Sequence, residues 1–460
     1  MITVDLATKR MPPRPAALRQ LRLLVGLAFL ATSLTAVAAD SLDFSVGVGA
    51  PVNTPEAVVD TALTQLCPSV AGQTSLAAVC GYLKGVTAPP PDQKAQVDEV
   101  LREISAKVNT SPTLLVSRAP AIRFSGDIAS RLAALRRGMQ TGPLTSGFRL
   151  SGRRSNASTP IFRAGADPES AGGLYSQRLS GFINGNFTSA KQAETPTEMG
   201  FDSTGQGLTA GVDYRFGLRT FMGIAPQFNT IAAELDDQGS ELKASQYAVI
   251  LYGSHFLSDA WYVEGTLGRG AQDLQLSRHI AFAAATPVNL TAIGDTKSAQ
   301  TSASLGTGSE LLLPQNVTLS LMANLVYAHS VIDGYTEQNA GSLNLTIGEQ
   351  DVSSLTTQLT ASVSRAFSFK FGVLIPQLGA TWLHELSSEG ERLKAQFAAD
   401  ANATQFGFVT QNQDTDYYII NADVQFLAPG GRVGFVRLSN VRLLRDRSET
   451  GITVGYRMEF

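Results

Sequence analysis

Long segments of alternating apolar and polar residues fill the second half of the sequence, and they restrict the possible fold more than any other feature. Between Gly207 and Phe216, one face carries apolar side chains and the other carries small or polar ones. The apolar face comprises Leu208, Ala210, Val212, Tyr214 and Phe216. A period of two is typical of β-strands, because successive side chains point to opposite faces. The alternation recurs at 317–327 and 417–426, so we predict a domain built of strands.

Twelve segments share this pattern. They span about 178–188, 205–216, 218–230, 242–256, 259–275, 296–312, 316–331, 353–367, 371–387, 415–428, 431–444 and 449–460. The eleventh alternates poorly, because Arg437, Arg442 and Arg445 interrupt it. An even number of antiparallel strands is typical of barrels in bacterial outer membranes.

The connections between the segments are sorted by length. Long polar stretches follow the first, third, fifth, seventh and ninth segments, for example at 188–204, 231–241 and 387–415. Tight links (FGL, LSD, LPQ, FSFK and APGG) follow the second, fourth, sixth, eighth and tenth. Outer-membrane barrels have short periplasmic turns and long external loops, whereas a soluble sandwich has no reason to sort its loops. We therefore predict an all-β transmembrane barrel of twelve antiparallel strands, preceded by a small α-helical region.

In such a barrel the apolar face contacts lipid and the polar face lines the lumen. The predicted lumen residues are Asp213, Arg215, Asn421, Asp423, Arg457 and Glu459. In the last segment, GITVGYRMEF, the lipid-facing residues are Ile452, Val454, Tyr456, Met458 and Phe460. Aromatic residues near the strand ends fit interfacial girdles at Phe216, Trp261, Trp382, Phe426 and Phe460.

The N-terminus carries an apolar run at 21–39, preceded by several basic residues and ending in small ones. This pattern predicts a secretory signal peptide over 1–39, read by the Sec translocon, with an uncleaved membrane anchor as the alternative. No later segment is apolar over the length that a membrane helix needs, so any span must consist of strands in contact with outer-membrane lipid. A formal net charge of -3 gives no reason to expect nucleic acid as a partner.

Two helices are predicted in the exported N-terminal region, at 56–67 and 91–108. Cys67 and Cys80 are the only cysteines, and a close pair in an oxidising compartment predicts one disulfide. Zinc is the alternative, but structural zinc needs four thiolate or imidazole ligands at recognisable spacing. The four histidines lie far downstream and apart, at His255, His279, His329 and His384. We therefore expect no metal site.

A third helix is predicted before residue 138, with a thin apolar stripe of Ile128, Leu132 and Leu135. Its basic residues would be unfavourable in lipid but acceptable in a watery lumen; they are Arg131, Arg136 and Arg137. Residues 139–173 are rich in Gly, Ser, Arg and Pro, which predicts a flexible linker.

The sequence resembles the autotransporters, the type V secreted proteins of Gram-negative outer membranes. The resemblance covers about 173–460 and rests on the phrases GFINGNF, GLTAGVDYRF, PQLGATWLHEL and GITVGYRMEF. Upstream, the sequence resembles a subgroup with short passengers at LCP, the second cysteine and RLAALRRG. It implies a helix in the lumen and insertion by the barrel-assembly machinery, which would recognise the last strand through Ile452, Val454, Tyr456, Met458 and Phe460. The expected domains are a signal peptide (1–39), a short passenger (40–120), a lumen helix (121–138), a linker (139–173) and the barrel (174–460).

Several features distinguish this chain from family members with further activities. The lumen helix lacks the paired asparagines at which some members cut their passengers, and no G-x-S-x-G motif of a serine esterase is present. His384 and Glu385 lack a second histidine four residues on, so packing is the expected role. We expect no catalytic, cofactor or metal residues, and the sequence does not identify a ligand of the passenger.

Two functions remain open. The first is a translocator that anchors a short N-terminal passenger and displays it at the cell surface. The second is an outer-membrane channel or barrel enzyme with a periplasmic N-terminal accessory module. The location of residues 40–120, outside or in the periplasm, distinguishes them.

Overall fold

A computed structural model describes most of the barrel and parts of the N-terminal half. The described residues are 54–70, 75–84, 91–109, 128, 131–133, 135–136, 178–236, 239–283, 287–387, 392–410, 414–429 and 432–459. The predicted signal peptide, the linker at 139–173, Arg137 and Phe460 lie outside them.

Twelve long strands form a closed antiparallel barrel, which confirms the predicted fold. They are β1 Leu179–Gln192, β2 Phe201–Phe216, β3 Thr220–Leu235, β4 Glu241–Phe256, β5 Trp261–Phe282, β6 Val288–Leu313, β7 Val317–Ile332, β10 Gln350–Arg365, β12 Gly372–Glu385, β15 Asp416–Ala428, β16 Arg432–Arg442 and β17 Arg447–Glu459. Each pairs with the next long strand along the chain, and β17 pairs with β1 to close the barrel, with Val454 opposite Gly185.

Strand ends at the short turns agree closely with the predicted ones. The turn between β2 and β3 shows why, since Gly217 adopts a φ of 77°, a left-handed conformation that glycine tolerates best. Such residues mark a tight turn directly in the sequence.

At the opposite, long-loop end, β5 and β6 are longer than the sequence predicts. The predicted fifth segment stops at 275, but β5 continues to Phe282, and the predicted sixth starts at 296, but β6 starts at Val288. The cause is a reversal of polarity along the strand. In the half of β5 that begins at the short turn, Leu267 points outward and is 61% exposed. Nearer the long loop, Leu274 and Leu276 point inward and are buried. Above the bilayer the outer face meets water and the inner face meets protein, so the membrane pattern no longer applies.

Among the residues that the structure describes, five short strands lie between the long ones, and four of them form a second sheet in the long loops. They are β8 Tyr335–Thr336, β9 Leu345–Ile347, β11 Phe367–Phe369, β13 Arg392–Phe397 and β14 Phe406–Val409. β14, β13, β9 and β8 pair in that order into a second sheet, made from the loops after β7 and β12. The prediction treated these two stretches only as polar loops. We call this sheet the loop sheet.

Within the described parts of 54–109, three helices precede the barrel: α1 Pro55–Leu66, α2 Ser75–Lys84 and α3 Pro91–Ile104. Thr54 is the N-cap of α1, and its Oγ1 accepts a hydrogen bond from the Ala57 amide at 3.4 Å. The predicted helix at 91–108 is too long, because α3 ends at Ile104 and a 3-10 turn follows at Ala106–Asn109. α2 was not predicted. Among the described helices, none is long and apolar enough to cross a membrane.

Candidate functional site in the lumen and mouth of the barrel

A helical segment lies inside the barrel, and Arg131 attaches it to one wall. Arg131 Nε donates a hydrogen bond to Asp213 Oδ2 at 2.9 Å, and its Nη2 donates to Ser180 Oγ at 3.0 Å. The guanidinium also lies 4.9 Å from the centre of the Phe182 ring. These partners belong to β1 and β2, so this wall holds the start of the helical segment.

Arg136 attaches the same segment to the wall formed by β5 and β6. Its Nη1 donates to Glu264, and its Nε lies 3.6 Å from Glu310 Oε1. The guanidinium stacks over Tyr262 at 3.9 Å from the ring centre. The predicted watery surroundings are therefore wrong for Arg131 and Arg136, because both are buried and paired with carboxylates.

The predicted apolar stripe of this helix packs against the barrel wall. Ile128, Leu132 and Leu135 are almost fully buried and form one cluster with apolar residues of β1, β3 and β4. These wall residues are Phe182, Phe221, Ala225, Ala248, Ile250 and Tyr252. The partners lie near the short-turn ends of their strands, so the helix occupies that half of the lumen. We call it the lumen helix.

The opposite, long-loop end of the barrel is covered by α1, α2 and α3. α1 contacts β14, α3 contacts β5, and α2 contacts the turn at Gly341–Leu343. There the Leu76 amide donates to Ser342 Oγ at 2.9 Å. The N-terminal helices therefore sit on the long-loop end.

One hydrophobic core is shared by these helices, the loop sheet and the upper barrel wall. The helices contribute residues such as Leu63, Val79 and Ile104, all buried. The loop sheet contributes Leu345, Leu393, Phe397 and Phe408, and the barrel contributes Leu242, Leu274, Leu276, Ile280 and Phe282. We call this assembly the mouth core. It explains the reversed polarity of β5, because the inward apolar residues of the upper wall pack against protein.

A disulfide joins Cys67, directly after α1, to Cys80 in α2. The two Cα atoms are 5.4 Å apart, and both residues are buried within the mouth core. The bond thus lies between the two helices that contact the loops.

A buried ion pair also connects the mouth core. Arg278 of β5 is 1% exposed, and its Nη2 donates to Glu337 Oε2 at 2.6 Å. Its Nη1 donates to the Glu103 carbonyl at 3.0 Å, while Asn109 Nδ2 donates to Glu337 Oε1 at 2.9 Å. Burial favours a higher pKa of Glu337, but Arg278 and the hydrogen bonds outweigh it and hold this pKa below its usual value. The pair joins the barrel, the loop after β7 and the N-terminal region.

The remaining predicted residues lie along the walls. In β17, Ile452, Val454 and Tyr456 point outward and are exposed, Met458 is half-buried, and Arg457 points inward and is buried. Asp423 is buried and pairs with Arg437. These positions agree with the predicted alternation.

The histidine and glutamate singled out in β12 have structural partners. His384 Nδ1 lies 3.0 Å from Asp416 Oδ1, and Glu385 accepts hydrogen bonds from Ser354 at 2.9 Å and Thr356 at 2.8 Å. Over the described part of the chain, no group of three or more acidic, histidine or cysteine side chains is arranged to hold a metal.

Sequence reasoning missed the carboxylates that hold Arg136 and the partner of Arg278. Glu264 and Glu310 are buried acidic residues at lumen-facing positions of β5 and β6. Their place in the alternating pattern of each strand could have identified them, because ionisable residues within a membrane-spanning segment usually have a partner. Nothing in the sequence pairs Arg278 with Glu337, which lies in a loop.

The comparisons with known proteins bear on this barrel. The autotransporter beta-domain family matches residues 181–435. The structure is similar to the translocator domain of the autotransporter NalP from Neisseria meningitidis, with 13% identity, a TM-score of 0.49, and 64% of this chain and 92% of that chain covered. For the beta domain of the Bordetella autotransporter BrkA the identity is 16%, the TM-score 0.44 and the coverage 61% and 99%. The structure is also similar to the Ralstonia pickettii toluene transporter TbuX, with 10% identity, a TM-score of 0.41, and 62% of this chain and 90% of that chain covered.

No curated protein matches the sequence. The assignment rests on the family match, which covers more than half of the 460 residues. The chain belongs to the autotransporter family, and its barrel is an outer-membrane translocator domain.

Proposed function

We propose that the barrel carries the N-terminal region, about residues 40–120, across the outer membrane and keeps it displayed at the cell surface. One observation carries this proposal: Asn109 lies at the long-loop end of the barrel, whereas Ile128 lies in the short-turn half of the lumen. The chain therefore changes ends between these residues. Long loops of such barrels face the exterior, so the proposal puts the helices outside.

The shared mouth core supports display rather than release. Apolar residues of α1–α3 are buried against the barrel and the loop sheet, and separating them would expose all three surfaces to water. In this proposal the region remains seated on its own barrel after export.

The lumen helix would close the barrel once export is complete. Arg131 and Arg136 hold it to two different walls, and each is buried with a carboxylate. Removing one partner of a buried ion pair costs about 3–5 kcal/mol, because the remaining charge stays desolvated. Two such pairs would fix the helix in place and block solute flow.

The remaining parts of the proposal are based on what is typical of autotransporters. Residues 1–39 would direct the chain to the Sec translocon, residues 121–138 would form the lumen helix, and 139–173 would link it to the barrel at 174–460. The outward face of β17, with Ile452, Val454 and Tyr456, would be read with Met458 and Phe460 by the barrel-assembly machinery. Translocator barrels of this family are not themselves enzymes, and we assign no catalytic activity to this chain.

An epitope tag placed beside Asp40 tests the proposal. We expect antibody to bind the tag on intact cells. Binding that appears only after the outer membrane is opened would put the helices in the periplasm, and the channel with a periplasmic accessory module would then be the better account.

A further inference from the structure

One connection at the short-turn end of the barrel is a hairpin that extends past the neighbouring wall. The short strand β11, Phe367–Phe369, pairs with the start of β12, and Lys370 and Phe371 form the turn between them. β7 begins at Val317, which is opposite Arg365, so the wall beside β11 has already ended. Residues 367–371 are all exposed. We call residues 365–372 the aromatic hairpin.

The phenylalanine rings of this hairpin continue the lipid-facing surface of the barrel. Phe369 and Phe371 stack with 5.4 Å between their ring centres, and Phe371 lies 6.0 Å from the ring of Phe426 in β15. Phe426 has the same parity as Val424, which points outward. A Cβ at Gly372 would lie 2.8 Å from Phe426 Cζ, so glycine allows this ring to lie against the turn. The rings therefore form one exposed apolar surface.

Two basic residues flank these rings. Arg365 has the parity of Val363, which is exposed on the outward face, and its guanidinium lies 5.1 Å from the centre of the Phe367 ring. Lys370 is exposed at the tip of the hairpin. Residues 361–376 contain no aspartate or glutamate. Over the part of the chain that the structure describes, neither Arg365 nor Lys370 forms an ion pair.

Exposed basic residues at the long-loop end of the barrel are placed differently. Lys191 lies 3.2 Å from Asp202, and Lys243 lies 2.6 Å from Glu241. Those cations have carboxylates of the same chain beside them. The cations of the aromatic hairpin have an apolar surface beside them instead, which is the arrangement that suits an amphipathic ligand with an anionic headgroup.

We infer that the aromatic hairpin binds an anionic phospholipid of the periplasmic leaflet, with Arg365 and Lys370 at the headgroup phosphate and the phenylalanine rings against the acyl chains. Short turns of outer-membrane barrels lie on the periplasmic side, so the hairpin reaches that leaflet. Aromatic rings are favoured at the membrane interface, and lysine and arginine are attracted to anionic headgroups. The inference concerns the barrel alone and goes beyond the proposed function.

Local fluorescence quenching tests this binding. Ser368→Cys places one free thiol between two of the rings, while Cys67 and Cys80 remain joined in their disulfide. The full chain is labelled with a bimane and refolded into phosphatidylcholine vesicles. These contain equal fractions of either phosphatidylglycerol or phosphatidylcholine with a nitroxide on the acyl chain. We expect several-fold tighter binding of phosphatidylglycerol, seen as stronger quenching.

A second reporter measures whether the preference is local. Leu208→Cys lies on the outward face of β2, where Leu208 is 49% exposed to lipid and away from the hairpin. Bimane at this position should be quenched equally by the two labelled lipids. A preference of the same size at both reporters would assign the effect to the barrel as a whole and overturn the inference.

Charge removal tests the two basic residues. Arg365→Gln combined with Lys370→Gln should bring the preference at Ser368→Cys down to that at Leu208→Cys, with equal amounts of heat-modifiable barrel. Lys191→Gln removes a positive charge at the other end and should leave the preference unchanged. Equal quenching by both lipids in the unsubstituted hairpin, or a preference that survives the double substitution, would overturn the inference.

Two further outcomes would also overturn it. Absence of quenching by either lipid would place the hairpin outside the bilayer. Unlabelled lipopolysaccharide that displaces the labelled phosphatidylglycerol better than unlabelled phosphatidylglycerol does would assign the site to a lipid of the outer leaflet. These measurements use vesicles and do not involve export. A tag beside Asp40 that stays protected on cells would therefore overturn the proposed function and leave this result unchanged.

Discussion

Arg278 and Glu337 form a buried ion pair at the mouth of the barrel, with 2.6 Å between Arg278 Nη2 and Glu337 Oε2. One residue belongs to a barrel strand and the other to the loop after β7, and the N-terminal region reaches both through Glu103 and Asn109. The N-terminal helices and the barrel are thus joined by polar as well as apolar contacts.

Breaking this pair should open the mouth core. Arg278→Met leaves the Glu337 carboxylate buried without its main partner, and we expect a local loss of about 3–5 kcal/mol. Protease added to intact cells should then cleave residues 55–109 faster, while heat-modifiable barrel remains at normal levels. Lys243→Ala, at the exposed pair with Glu241, is the control and should change neither result. Unchanged protease resistance in Arg278→Met would show that the pair does not hold the mouth core.

Acid should weaken the same contact. The pKa of Glu337 is held below its usual value, so its ionised form stabilises the folded mouth. This contribution is complete above the pKa of an unfolded glutamate, about 4.3, and is lost as pH falls through the lower folded value. Proteolysis of residues 55–109 in purified protein should therefore accelerate at acid pH. Glu337→Gln should be less stable at neutral pH and lose part of this acid dependence; an identical pH profile would contradict the assignment.

The lumen helix should respond to loss of either arginine pair. Arg131→Ala leaves Asp213 buried, and Arg136→Ala leaves Glu264 and Glu310 buried, so each should loosen the helix. We expect larger and more frequent current openings in planar bilayers for both variants. Arg269→Ala, on the outward face of β5, is the control. Currents equal to those of the unaltered protein in both variants would mean that these pairs do not keep the barrel closed.

Lipid-facing and lumen-facing positions should differ in their tolerance of charge. Val424, Val436 and Val454 lie side by side in register and point outward. Arginine at Val424 or Val454 should destabilise the barrel by roughly 2–4 kcal/mol if these positions reach the bilayer midplane. Arginine at Asn421 or Thr453 should be milder. Urea unfolding in lipid vesicles measures the difference, and equal effects at all four positions would contradict the assigned facing.

The barrel is predictable from sequence wherever one physical rule holds along a strand. Within the bilayer, each strand alternates apolar residues that face lipid with polar residues that face the lumen. Residues such as Gly217 mark the turns. That rule ends at Gln272, above which Leu274 and Leu276 turn inward to the mouth core. Nothing local to β5 reveals that helices from far earlier in the chain cover it, so its upper end could not be located.

The site was predictable in part for a related reason. The spacing of Ile128, Leu132 and Leu135 reveals a helix with one apolar face, and the arginines beside them exclude lipid as its surroundings. Their carboxylate partners lie on strands 82 and 128 residues away, so sequence spacing cannot pair them. For the same reason the arginines were expected in water rather than in buried ion pairs.

The most direct test of the account compares two exposed positions at opposite ends of the barrel. Thr61 lies on the exposed face of α1, and Leu218 lies in the short turn between β2 and β3 with 84% exposure. Each is replaced by cysteine, and intact cells are treated with a maleimide that cannot cross the outer membrane. The account predicts labelling of Thr61→Cys on intact cells and of Leu218→Cys only after the membrane is opened. Protection of Thr61→Cys on intact cells, with labelling after opening, would contradict it.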